Sequence, residues 1–115
     1  MSIRANVITK YVIEYGSAGL AYGQDLILAL SAEYMADAYT GGDEHSNASI
    51  WEFNKAQFKA MTETLSKMTS EEYRSKCNEW GVDPEKYPKD YVVELFHTWL
   101  KETPDQYPYV LISWF

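Results

Sequence analysis

The run 107-YPYVLISWF-115 constrains the fold more than any other stretch of this chain. It is uncharged, rich in aromatic and branched side chains, and strongly β-prone, with Pro108 placed near its start where a strand tolerates the missing N–H. A strand this apolar has to be paired and covered, so a partner strand must exist elsewhere in the sequence. Asn6–Tyr15 (NVITKYVIEY) is the obvious neighbour. Its alternate sets, Val7/Thr9/Tyr11/Ile13/Tyr15 and Ile8/Lys10/Val12/Glu14, differ in polarity, as a strand with one buried face requires. Gly16-Ser17-Ala18-Gly19 then reads as a turn, with Leu20–Tyr22 as a short returning arm before Gly23.

Between these ends the patterning is helical. Asp25 fits an N-cap for LILALSAEYMADAY, which runs to Tyr39 with Gly41 beyond it. Apolar residues cover most of that helix and leave Glu33 and Asp37 as a polar stripe. Such a helix is either buried on two sides or uses one side for a partner, so a homo-oligomer through residues 25–39 is one expectation. Ser49-Ile50-Trp51-Glu52 matches a capping box and predicts a second helix from Ile50, with Trp51, Asn54, Phe58, Met61, Leu65 and Met68 on one stripe. Thr69-Ser70-Glu71-Glu72 is another capping box, opening a helix that aligns Tyr73, Cys77 and Trp80 before Gly81 ends it. Asp83-Pro84 caps a brief turn and Pro88 breaks it. Asp90–Lys101 places Val92, Leu95, Phe96 and Trp99 on one face, and Thr103-Pro104 stops the helix. The expected architecture is a single α+β domain over residues 1–115, with a small antiparallel sheet formed by the N- and C-terminal strands and three to four helices covering one face.

A chain of 115 residues buries about 65% of its unfolded surface on folding, enough for one core without staples. The single cysteine excludes an internal disulfide framework and favours a reducing compartment. The N-terminal MSIRANVITK lacks the apolar core of a signal peptide, and the longest purely apolar run, Leu26–Leu30, is far below the roughly 20 residues a membrane span needs. A soluble, cytoplasmic protein is expected. Asn47-Ala48-Ser49 matches the glycosylation pattern, and with no signal peptide read at the start a chance match is expected.

The net charge of −7 is unevenly spread. Residues 25–54 carry Asp25, Glu33, Asp37, Asp43, Glu44 and Glu52 with no Lys or Arg, a net −6 in thirty residues. An acidic concentration of this kind repels nucleic-acid phosphates and suits a basic protein surface.

No constellation for chemistry stands out. Gly16, Gly19 and Gly23 precede a helix but lack the G-K-[ST] ending and dinucleotide spacing, and Asp25 would occupy the helix terminus that a phosphate needs. Asp43, Glu44 and His45 are adjacent in 39-YTGGDEHSN-47 rather than at metal-ligand spacing, so that loop reads as a connector. Cys77 and His97 are the only conceivable nucleophile and base. Cys77 lies on an apolar stripe that should raise its pKa, and His97 falls on a polar face near Glu94 and Lys101. No catalytic residue, metal ligand or cofactor is therefore assigned.

The expectation is a small acidic protein-binding module, without direct nucleic-acid or membrane binding, that occupies a basic surface of a partner as an inhibitor, an immunity-type protein or a phage-borne antagonist would. Its docking residues are expected to be Glu33, Tyr34, Asp37, Tyr39, Asp43 and Glu44, which place tyrosines among acids. The alternatives are a nucleic-acid mimic that blocks a nucleic-acid-binding enzyme, and an enzyme whose site the sequence does not display.

Overall fold

The computed structural model describes residues 4–10, 14–39 and 50–114. Eight elements follow in order: β1 (Ala5–Lys10), β2 (Glu14–Gly19), α1 (Gln24–Tyr34), β3 (Ile50–Asn54), α2 (Lys55–Lys67), α3 (Ser70–Trp80), α4 (Lys89–Glu102) and β4 (Tyr109–Trp114). The strands form one antiparallel sheet in the order β2-β1-β4-β3. The two ends of the chain are neighbours in it, with Ala5 opposite Trp114 and Val7 opposite Ile112. The apolar C-terminal run is thus an inner strand, hydrogen-bonded on both edges, and from Val110 to Trp114 every residue is buried.

Strand alternation assigns Ala5, Val7, Trp51, Phe53, Val110, Ile112 and Trp114 to the sheet face that joins the main core. The helices cover that face. Phe58 of α2 meets Phe96 of α4 edge-on at 5.0 Å, Phe96 meets Trp99 at 5.5 Å, and Phe53 of β3 stands 6.0 Å from Phe58. Trp51 and Trp114 pack edge-to-face at 5.1 Å across the sheet. The opposite face carries Asn6, Glu52, Leu111 and Ser113.

Four sequence expectations are corrected. Asn6–Tyr15 is not one strand: β1 ends at Lys10 and β2 starts at Glu14, paired with each other. Seven of the ten residues are β-branched or aromatic and none is Gly or Pro, so the local pattern carried no clear sign of the reversal, and two register shifts between β1 and β2 break the simple alternation. Residues 11–13, which include Tyr11 and Ile13, lie outside the described residues.

Gly16–Gly19 is accordingly strand rather than turn. A Cβ on Gly19 would stand 2.6 Å from Leu95 Cδ2 and 2.7 Å from Tyr91 Oη, so glycine is there because α4 approaches the strand closely. The turn falls one step later, at Leu20–Gly23, where the predicted returning arm was placed. Leu20 and Tyr22 adopt left-handed φ values of 55° and 56°. These cost strain for non-glycine residues and are held by tertiary hydrogen bonds: Leu20 N donates to Tyr91 Oη at 2.9 Å, and Tyr87 Oη donates to the Ala21 carbonyl at 2.7 Å.

Helix α1 starts at Gln24 with Gly23 as its cap, so Asp25 sits inside the first turn, and the helix ends at Tyr34 rather than Tyr39. Gly41, the expected stop, lies outside the described residues. The segment after α1 is drawn off by Tyr39, which bridges to Glu52.

Ile50–Asn54 is strand β3, not the first turn of a helix. Trp51 and Phe53 are buried while Glu52 is exposed, the period-two pattern of a strand, and all five residues pair with β4. Helix α2 begins at Lys55, where the Asn54 side chain accepts from Gln57 N at 3.0 Å. Ser49, the expected cap, lies outside the described residues.

The remaining elements follow the sequence closely. Thr69 and Glu72 form the reciprocal capping box, each hydrogen bond 3.1 Å long, and Gly81 closes α3 in the left-handed conformation. Helix α4 presents Val92, Leu95, Phe96 and Trp99 inward and stops at Thr103. Among the described residues no helix is long and apolar enough to cross a membrane.

Candidate functional site

The acidic stretch does not fold into one patch. Helix α1 turns Glu33 toward α3, where its carboxylate accepts from Lys76 Nζ at 2.6 Å and from Trp80 Nε1 at 3.1 Å. Both charged side chains of that pair remain one-third exposed. Lys76 is held protonated above its ordinary pKa, chiefly by its hydrogen bond to Glu33. Tyr34 is half-buried against the core, and burial, reinforced by the Glu33 carboxylate, raises its hydroxyl pKa. Glu33 and Tyr34 are therefore engaged within the molecule, bracing α1 on α3.

Beyond α1 the geometry differs. Asp37 faces α2: its Oδ2 accepts from Gln57 Nε2 at 3.0 Å, and its backbone N donates to Gln57 Oε1 at 3.3 Å. Two residues on, Tyr39 exchanges backbone hydrogen bonds with Glu52, each 2.8 Å long. Tyr39 is 57% exposed, the most exposed of the large apolar side chains described. The bridge brings Asp37, Tyr39 and the exposed Glu52 to the β3 edge of the sheet, with no Lys or Arg anywhere in residues 25–54. Of the six residues expected to dock a partner, the structure gathers Asp37 and Tyr39 here and directs Glu33 and Tyr34 elsewhere. Asp43 and Glu44, with His45, lie outside the described residues. Glu52 was not among the six. The alternation Ile50-Trp51-Glu52-Phe53-Asn54 held the signal, since a strand there puts Glu52 on the side opposite the buried Trp51 and Phe53.

The other chemical candidates separate. Cys77 is fully buried on α3, and burial raises its thiol pKa, partly opposed by a hydrogen bond with Tyr73. Tyr73 in turn donates to the Tyr87 carbonyl at 2.6 Å, and its hydroxyl is likewise driven upward, first by burial and then by Cys77. A buried thiol whose proton is held this firmly is a poor nucleophile. His97 is exposed on α4, at the mouth of a groove between α2 and α4. Among the described residues no group of three or more His, Cys, Asp or Glu side chains is arranged to hold a metal ion.

No protein-family model, curated protein or solved structure matches this chain.

Proposed function

We propose that the chain is a protein-binding module that presents an acidic, tyrosine-bearing edge to a basic surface on a partner protein, acting by occupancy as an inhibitor or immunity-type protein does. The observation that carries this reading is the reciprocal bridge between Tyr39 and Glu52. It fixes the exposed Tyr39 opposite Glu52 on an edge strand, with Asp37 two residues before it in sequence. Tyrosine supplies apolar contact area at low entropic cost, and acids around it steer a basic partner into register. Asp43 and Glu44, between Tyr39 and β3 in sequence, add charge to the same chain segment.

The experiment compares two immobilised baits, wild type and the variant Asp37→Asn, Tyr39→Ala, Glu52→Gln, in capture from the native host, followed by association kinetics with the captured protein. Salt-sensitive association by wild type, slowed about tenfold or more in the variant, supports the reading. Equal capture by both baits, with the same association rate at low salt, removes it.

A further inference from the structure

We infer that the groove between α2 and α4 is a binding site for a small amphipathic carboxylate. The groove is an open concavity of about 710 Å³, inside the roughly 300–1,000 Å³ span of ligand pockets. Its apolar lining comes from Ala56, Leu100 and Pro108, and its charged lining from Lys55, Lys59 and Lys101 with Glu63 as the one acid. In a chain of net charge −7, a concavity with three ammonium groups against one carboxylate is a local inversion of sign.

The lysines differ from several cations elsewhere on the molecule. Lys76 is paired with Glu33 and Glu79, Arg74 lies 3.9 Å from Glu85, and Lys86 stands over the Tyr22 and Tyr87 rings. Lys59 and Lys101 make no ion pair among the described residues, although Glu63 is one helical turn from Lys59. Lys55 is the fixed member. It is half-buried, and its Nζ donates to the carbonyls of Pro104 and Tyr107 at 3.1 and 3.3 Å, which holds the ammonium in place without neutralising it. An ammonium has three N–H donors, so one remains for a ligand. The same loop is tied to the start of α2 by Lys55 N donating to the Pro108 carbonyl at 3.1 Å, which makes the groove end a formed wall.

A fixed cation at one end, two exposed cations along the rim and an apolar lining match a ligand with a carboxylate head and a hydrocarbon or aromatic body. A compact inorganic anion would leave the lining of Leu100 and Ala56 unused, and a neutral alkyl chain would leave the ammonium groups without a counter-charge.

The test is a titration of isotope-labelled full-length protein with octanoate, following backbone amide shifts, with octanol and inorganic phosphate as parallel probes. Saturable shifts confined to the first half of α2, the last half of α4 and the 104–108 loop are expected, with octanol and phosphate each weaker by about tenfold or more. The variant Lys59→Gln/Lys101→Gln, with a melting temperature close to wild type, should weaken octanoate by a similar factor; both side chains are exposed and make no ion pair among the described residues. The inference is overturned by shifts that do not saturate, by an unaltered affinity in the variant, or by phosphate binding as well as octanoate. A leucine-free hexaglutamate peptide that binds more tightly than octanoate overturns it too, since the groove would then read acidic charge alone.

Discussion

Tyr39 and Glu52 are thirteen positions apart in sequence, yet each accepts the other's backbone N–H at 2.8 Å, forming an isolated antiparallel bridge outside the four-stranded sheet. The bridge sits on β3, the edge strand, and ties the segment after α1 to it. It brings the segment that carries Asp37 to the strand that carries Glu52, whereas Glu33, four residues before Asp37, is committed to α3.

Removing the C-terminal strand should abolish folding. Deleting Val110–Phe115 takes out the strand that bridges β1 and β3, together with Val110, Ile112 and Trp114, whose burial contributes roughly 1.5–3 kcal/mol each. Thermal unfolding followed by circular dichroism should lose its cooperative transition; a truncated chain that melts near the full-length temperature contradicts the inner position of β4.

Gly19→Ala should be destabilising by about 1–3 kcal/mol although alanine is the smaller entropic burden, because the added methyl group overpacks against Leu95 and Tyr91. Moving Tyr91 also disturbs the acceptor for Leu20 N. Denaturant unfolding measures the change, and a neutral or stabilised variant would mean that α4 can retreat from β2 at no cost.

Stability should fall at alkaline pH. In the folded chain the Cys77 thiol keeps its proton beyond its ordinary pKa of 9.0, and the Tyr73 hydroxyl keeps its proton beyond 10.0. Above about pH 9 the unfolded chain releases these protons first and binds fewer than the native state, so unfolding becomes progressively easier as pH rises. Denaturant midpoints from neutral pH to about pH 10 should decline, with a shallower decline in Cys77→Ala. That variant should itself cost about 1 kcal/mol at neutral pH, from the small cavity left in the core. The native thiol should label slowly until the protein unfolds; rapid labelling of the folded protein would restore Cys77 as a reactive group.

Glu33→Gln should lower the melting temperature slightly, an effect that fades at high salt, because it weakens the exposed contact with Lys76 and the hydrogen bond from Trp80. Trp80 emission should shift as its indole N–H loses a charged acceptor. Neutralising Asp37 together with Glu52 has the opposite expectation, a melting temperature unchanged or slightly raised, since neither carboxylate has an ion pair among the described residues. Equal destabilisation by both changes would place Glu33 in the same category as the edge acids.

Helices α3 and α4 were legible in the sequence because the information that defines them is local. The Thr69/Glu72 box, Gly81, the stop before Pro104 and the inward stripe of α4 each depend on residues within a turn or two of one another. The pairing of the chain ends was legible for a different reason: an uncharged β-prone run such as Val110–Trp114 has few stable environments besides the inside of a sheet. The burial of Cys77 followed from its stripe.

The points decided only in three dimensions are those where one local pattern suits two structures. Ile50–Asn54 fits a capping box and equally a five-residue strand, and five paired positions along β4 outweigh what one cap can contribute. NVITKYVIEY is mostly β-branched or aromatic with no Gly or Pro, and GSAG reads locally as a turn, so the reversal between Lys10 and Glu14 and the packing role of Gly19 appear only in the folded chain, where β1 pairs with β2 and α4 lies against β2. The acidic edge has the same origin. Sequence concentrates the carboxylates in residues 25–54, but which of them point together depends on where Tyr39 meets β3, and Lys76 and Trp80, far along the chain, are what draw Glu33 away. Charge density is a property of composition; a charged surface is set by the long-range pairing that orients each side chain.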